Sequence, residues 1–360
     1  MGSPVEVCVV RALEAARHIR ALVQAMPLAE RGRRADAALK PGLALTLEVD
    51  RVAEQAAIAA LERLAAEIGH RVHLIVDPVR GHVIPLGRSS HRQVVFAAVD
   101  AVDGTMKVGG LGNDLARGRI RVANDGNWGV AAAFTAPTDR ALETLTFGEL
   151  VAAVVVDGNP SRYRAHPEEV VAMPVDGLPA ALDVSDAPAV GAVLRRARRV
   201  YTSTNTDLAH GVVYLDGYQA FDLDTRAPGD DQIAGALYRA LIDRHGGGAF
   251  DIVRQYGNLS AILHVLLGWR GDPPWCESQG AGFVVVNENL ANVLPAIPIV
   301  AGAGGVSVDF AGRPLRERKL IDGRCSVVHA ANPALRDALL RLIQRASGSS
   351  PVSSSANGGG

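Results

Sequence analysis

Two aspartates three residues apart, Asp100 and Asp103, close an apolar, β-branched run at Val94–Val99 and lead straight into Gly104 and Thr105. Two carboxylates crowded at a strand end repel each other unless a cation lies between them. Hard divalent ions such as Mg²⁺ take carboxylate, carbonyl and water oxygens, and the Val102 carbonyl between the two acids is a further donor of that kind. Asp-Gly is equally a common turn dipeptide, so on this segment a solvated turn and a metal site stand level. Other acids shift the balance. Asp77 ends a second strand-like run, Val72–Val76, and is followed by Pro78; Asp50 stands at the start of a helical pattern. Far downstream come Trp275-Cys276-Glu277 and then Ala303-Gly304-Gly305.

These residues need a scaffold, and the apolar spacing indicates one. Val5 to Met26 reads as an amphipathic helix through Val9, Leu13, Ala16, Ile19 and Val23, and a second runs from Asp50 to Ile68 and stops at Gly69. Strands are expected at Val72–Val76, Val94–Val99, Gly129–Phe134, Leu150–Val156, Val200–Thr202, Gly211–Leu215 and Ile297–Val300. Helices are expected at Asp230–Arg244, Leu259–Leu267 and Asn332–Arg345, the last with Asn332 as cap and Pro333 as first residue. Gly280–Val286 fits a short helix or a strand. The composition shift at Pro174–Pro188 reads as a connector between lobes at 1–185 and 186–347, and the Ser/Gly-rich stretch 348–360 as a disordered tail. The pattern is mixed α/β.

Composition removes several function classes. With 37 basic and 38 acidic side chains among 360 residues, the net charge of −1 provides no basic field for nucleic acid. No stretch reaches the roughly 18–20 apolar residues of a membrane span, and Arg11, Arg17 and Arg20 interrupt any signal-peptide core. Cys8, Cys276 and Cys325 form no metal-spaced pair, which suits a reducing cytoplasm. His70 and His73 are a close pair without a third ligand, so zinc is not expected. Trp128 reads as a core or lobe-contact residue, and the cluster Arg195-Arg196-Ala197-Arg198-Arg199 as a solvated face.

The ordered set Leu47-Glu48-Val49-Asp50…Glu54, Asp77 and Asp100-Ala101-Val102-Asp103-Gly104-Thr105 resembles the inositol monophosphatase-like phosphatases, which include the bisphosphate nucleotidases and fructose-1,6-bisphosphatases. Arg254-Gln255-Tyr256-Gly257-Asn258 falls where that family has a Gly-Ser turn. Gly304-Gly305-Val306-Ser307-Val308-Asp309 and Val328-His329-Ala330-Ala331-Asn332-Pro333 resemble its late strands and last helix. The resemblance, over roughly Val5 to Ile343, implies a layered αβαβα sandwich and Mg²⁺-dependent hydrolysis of a small cyclitol, sugar or nucleotide phosphate. It implies that Asp77, Asp100, Asp103 and the Val102 carbonyl hold two or three Mg²⁺ ions, and that Asp50 and Thr105 together activate water. Gly104, Thr105, Lys107, Gly257 and Asn258 would then surround the phosphorylated metabolite, and the protein would be a cytoplasmic homodimer.

The chain departs from the family pattern in three places. Asp77-Pro78 stands where the family usually has two glutamates. Met106-Lys107-Val108 and a glycine-rich stretch, Gly109-Gly110-Leu111-Gly112, follow the signature. The family's Trp-Asp pair is matched best by Trp275 and Glu277 with Cys276 as an extra residue; this makes Glu277 the last metal ligand, and a loop acid is the other reading. These departures also leave open a relative that binds a phosphorylated ligand without hydrolysing it, or that performs other phosphate chemistry in a biosynthetic pathway.

Overall fold

Helix α1, Pro4–Ala25, begins where the sequence supplies a complete N-terminal cap. Ser3 Oγ accepts the Glu6 N–H and Glu6 Oε2 accepts the Ser3 N–H, which satisfies two otherwise orphaned donors. This computed structural model describes residues 3–33, 47–77, 82–88, 92–104, 128–158, 167–185, 197–208, 212–216, 235–237, 239, 259, 262–263, 267–268, 280–289 and 293–346. A one-turn helix, α2 (Leu28–Arg31), precedes α3 (Glu48–Ile68). The buried stripe Val9, Leu13, Ala16, Ile19 and Val23 of α1 meets Ala53, Ala57, Leu61 and Leu64 of α3 over one face of a large sheet. Burial of such stripes is the main favourable term in docking helices on sheets.

The large sheet has eight strands in the order β2-β1-β3-β4-β5-β6-β7-β8. They are β1 (Arg71–Asp77), β2 (His82–Leu86), β3 (Val94–Asp103), β4 (Gly129–Thr135), β5 (Leu150–Asp157), β6 (Glu169–Val175), β7 (Leu178–Asp183) and β8 (Arg198–Arg199). β1 and β3 are parallel, and the other described pairs are antiparallel. β5 reads as a near-continuous apolar run because both of its faces are covered, and Val154, Val155 and Val156 are fully buried. Next come β9 (Tyr201–Thr202), β10 (Val212–Asp216), β11 (Leu267–Gly268), β12 (Gly280–Asn289), α4 (Ala296–Gly302), β13 (Val306–Asp309), β14 (Arg324–Ala330) and α5 (Pro333–Ala346). β10, β12, β14 and β13, in that order, form a four-stranded sheet, and β9 pairs with β11. α4 packs on β5, β6 and β7 and reaches β13; α5 packs on β12 and β14. The layers are therefore α1 with α3, the large sheet, α4, the small sheet and α5: an αβαβα sandwich.

Three expectations change. Ile297–Val300 is not a strand but the centre of α4. A short apolar run has no polar face to reveal its period, and this helix is buried between two sheets. Its Pro298 falls in the first turn, where a missing N–H costs no helical bond. The Leu259–Leu267 stretch is helical at Ile262 and Leu263, but Leu267 belongs to β11. Pro174 through Asp183 is not a connector: it ends β6, turns at Asp176-Gly177 with φ of 51° and 80°, and returns as β7. Gly280–Val286 resolves as strand. Gly235–Leu237 and Arg239 are helical, while the rest of Asp230–Arg244 and all of 348–360 lie outside the described residues.

Candidate functional site

Strand β3 carries the two signature aspartates at its carboxyl end. Along it, Val95, Ala97 and Val99 pack toward α1 and α3, while Phe96 and Ala98 face the opposite side, toward α4 and the small sheet. Strict alternation would send Asp100 and Asp103 to opposite faces, because they are an odd number of residues apart. The β3–β4 ladder breaks between them. Asp100 lies opposite Ala131, and Asp103 lies opposite Gly129, so three steps on β3 match two on β4. The extra residue is a β-bulge. Ala101 and Val102 consequently both pack into the α1/α3 core, at 3% and 5% exposure, and Asp103 returns to the face of Asp100. Both carboxylates are buried. Gly104 follows with φ 91°, a left-handed conformation that a residue with a Cβ adopts at a cost, and turns the chain out of the sheet.

Asp103 is also held from the other half of the chain: its Oδ2 accepts the backbone N–H of Leu259 at 2.7 Å. Leu259 is buried among the residues of the small-sheet side. Asp77 ends β1, which runs parallel to β3 with Leu74 opposite Ala97; three residues further along both strands stand Asp77 and Asp100. The backbone thus brings Asp77, Asp100 and Asp103 to the carboxyl ends of neighbouring strands, the edge where ligands of α/β sheets gather. Asp50 lies in the first turn of α3, and its Oδ2 accepts the Leu47 N–H at 3.0 Å, which fixes that carboxylate against its own helix. Thr105, Lys107, Gly257, Asn258 and Glu277, and the side chain of Asp77, lie outside the described residues.

Among the described residues no group of three or more His, Cys, Asp and Glu converges as a metal site. The donors that are described nonetheless have the chemistry Mg²⁺ requires. They are two buried carboxylates turned to one face by a bulge, with a peptide carbonyl between them in sequence. Histidine and thiol donors, which would suit softer metals, are not part of this set. Two features of the site were not visible in the spacing: the bulge and the Leu259 amide. The consecutive apolar pair Ala101-Val102 between the acids is the signal that could have revealed the first.

The remaining candidates resolve as structural. Trp128 is buried, and its indole fills the space beside Gly158, where an added Cβ would come within 2.1 Å of the ring. Arg198 and Arg199 lie exposed on β8, while Arg195 and Arg196 lie outside the described residues. His73 packs edge-on against Phe96 at 5.5 Å, and burial, helped by Arg71, lowers its pKa. Burial pushes the Cys8 and Cys325 thiols up to about 12, so neither is a nucleophile near neutral pH. No described helix is long and apolar enough to cross a membrane.

No protein-family model matches the chain, and no curated protein sequence does. Solved structures do. Fructose-1,6-bisphosphatase from Leishmania major aligns over 94% of this chain and 93% of its own, with TM-score 0.59 and 11% identity. The extragenic suppressor protein SuhB from Bartonella henselae aligns over 93% and 97%, with TM-score 0.58 and 16% identity. The inositol monophosphatase from Thermotoga maritima aligns over 93% and 95%, with TM-score 0.55 and 14% identity. The chain shares the fold of these inositol monophosphatase, SuhB and fructose-1,6-bisphosphatase structures, and in it the buried Asp100 and Asp103 lie at the carboxyl end of β3.

Proposed function

We propose that the protein is a Mg²⁺-dependent phosphatase of a small phosphate monoester, a cyclitol, sugar or nucleotide phosphate. One observation carries this reading: the β3 bulge turns Asp100 and Asp103, both buried, to a single face at the carboxyl end of a phosphatase-type sheet. Asp77, Asp100, Asp103 and the Val102 carbonyl would hold the two or three ions, with Glu277 as the last protein ligand. Bound there, Mg²⁺ would lower the pKa of water and neutralise phosphate charge.

The chain's own residues do the rest. Asp50, held by the Leu47 N–H, positions the Thr105 hydroxyl, and the pair orients the attacking water and takes up its proton. The water oxygen bonds to phosphorus as the ester P–O bond breaks, and the leaving oxygen takes a proton from solvent water to become the alcohol. Gly104, Lys107, Gly257 and Asn258 flank the phosphorylated substrate. Such chemistry needs positioning and charge neutralisation more than covalent catalysis. The reading includes a cytoplasmic homodimer.

The test is phosphate release from a panel of sugar, cyclitol and nucleotide phosphates, with Mg²⁺ and with chelator. Release that requires Mg²⁺ supports the proposal. Asp77-Pro78, in place of two glutamates, favours the non-hydrolysing relative as second reading; tight binding of a panel member without turnover in either condition would select it. Products other than inorganic phosphate and alcohol, read by mass spectrometry, would indicate other phosphate chemistry.

A further inference from the structure

Asp103 has two neighbours of different kinds. It belongs to the bulged end of β3, and it grips a backbone amide 156 residues away, on the small-sheet side of the molecule. The gripped residue is anchored in its own half: Leu259 is fully buried with Ile262 and Leu263, and the Ile262 N–H donates to the Leu259 carbonyl at 3.2 Å. An amide donating to a carboxylate is a charge-assisted bond, stronger than its neutral counterpart. A carboxylate accepts at both oxygens, with about four lone-pair directions, so engagement of Oδ2 by an amide is compatible with cation ligation by the same group.

We propose that Asp103 couples the two halves of the protein to its cation site: the bond to Leu259 holds the carboxylate in its ligating orientation, and a bound cation in turn secures the Leu259 backbone against Asp103. The inference rests on the cation site proposed above and adds a regulation of it. Coupling of this kind is reciprocal by thermodynamic necessity. A cation that binds the docked arrangement lowers the population of the open one by a factor of 1 + [Mg²⁺]/Kd. Opening of the Asp103–Leu259 bond and cation binding then form one equilibrium, so that the bond opens less often when the site is loaded.

The test follows hydrogen exchange at the Leu259 amide by NMR, while calorimetry measures Mg²⁺ binding on the same preparation. At Mg²⁺ ten times its Kd, exchange at Leu259 in the wild type should slow about elevenfold. Asp103→Asn keeps an acceptor oxygen but loses the charge. Its Leu259 amide should stay protected to within about tenfold of wild type and stop responding to Mg²⁺. Asp103→Ala should exchange about ten to a hundred times faster. Mg²⁺ binding by calorimetry with unchanged or faster Leu259 exchange would overturn the coupling, as would equal exchange in wild type and Asp103→Ala. Absence of any binding heat would overturn the cation site itself, and the coupling with it. If Asp103→Ala does not fold, the wild-type and Asp103→Asn arms decide the question.

Discussion

Asp100 and Asp103 face the same side of β3 although an odd number of residues separates them, because the ladder to β4 absorbs one extra residue between them. The same bulge sends Val102 into the α1/α3 core beside Ala101. Val102→Thr should therefore cost about 1–3 kcal/mol in urea unfolding, since it buries a hydroxyl of nearly the same shape without a designed partner. Mg²⁺ affinity by calorimetry should change little. A variant of wild-type stability with altered Mg²⁺ affinity would show that the Val102 side chain points into the site instead.

Glu169 of β6 pins α1 to the large sheet. Its Oε2 accepts from Arg17 Nε at 2.8 Å and its Oε1 from Arg20 Nη2 at 2.7 Å, while Arg20 Nη1 also donates to the Asp157 carbonyl at 3.1 Å. The Glu169 side chain is 5% exposed, so its removal leaves two poorly solvated guanidinium groups behind. Glu169→Gln should destabilise the protein by about 3 kcal/mol. Glu67→Gln, which breaks the half-exposed pair with Arg11, should stay within about 1 kcal/mol of wild type. Equal midpoints for the two variants in urea would contradict this assignment.

His329 gives the fold an acid limit. It stands in a cross-strand row in the small sheet, Tyr214 opposite Phe283 opposite His329 opposite Ser307. Its Nδ1 lies 2.8 Å from Ser307 Oγ, its ring stacks on Phe283 at 5.7 Å, and its Nε2 has no partner among the described residues. Burial pushes its pKa down to about 3. The folded state thus resists a proton that the unfolded chain takes up near pH 6.5. The contribution is fully present above that pH and is lost as pH falls toward 3, by up to about 1.4 kcal/mol per pH unit. His329→Leu should flatten the pH dependence of urea stability in that window; an unchanged slope would remove His329 as its cause.

The large elements were legible because their signals are local. The Asn332-Pro333 start of α5, the stripe Val9 to Val23 and the β-branched runs at β3 and β5 each declare an element within a few residues. The resemblance carried by the Asp100 to Thr105 segment then supplied the layer order, and the solved structures agree with it. What was not legible depends on tertiary partners. Ile297–Val300 read as a strand because a helix buried on all sides loses its polar period. Pro174 to Asp183 read as a connector because its prolines look like punctuation, whereas Asp176-Gly177 is a two-residue hairpin turn. The Leu259 amide carries no side-chain signature, so its bond to Asp103 could come only from the folded chain.

The most direct measurement is the initial rate of phosphate release from the best panel substrate, for wild type and Asp100→Asn, in Mg²⁺ and in chelator. If the bulged end of β3 is a hydrolytic cation site, the wild type should turn over in Mg²⁺ and stop in chelator. Asp100→Asn should then lose about 10²–10³-fold, the scale expected when a principal electrostatic element of a site is removed. Equal rates with and without Mg²⁺, or an Asp100→Asn variant as active as wild type, would contradict the account.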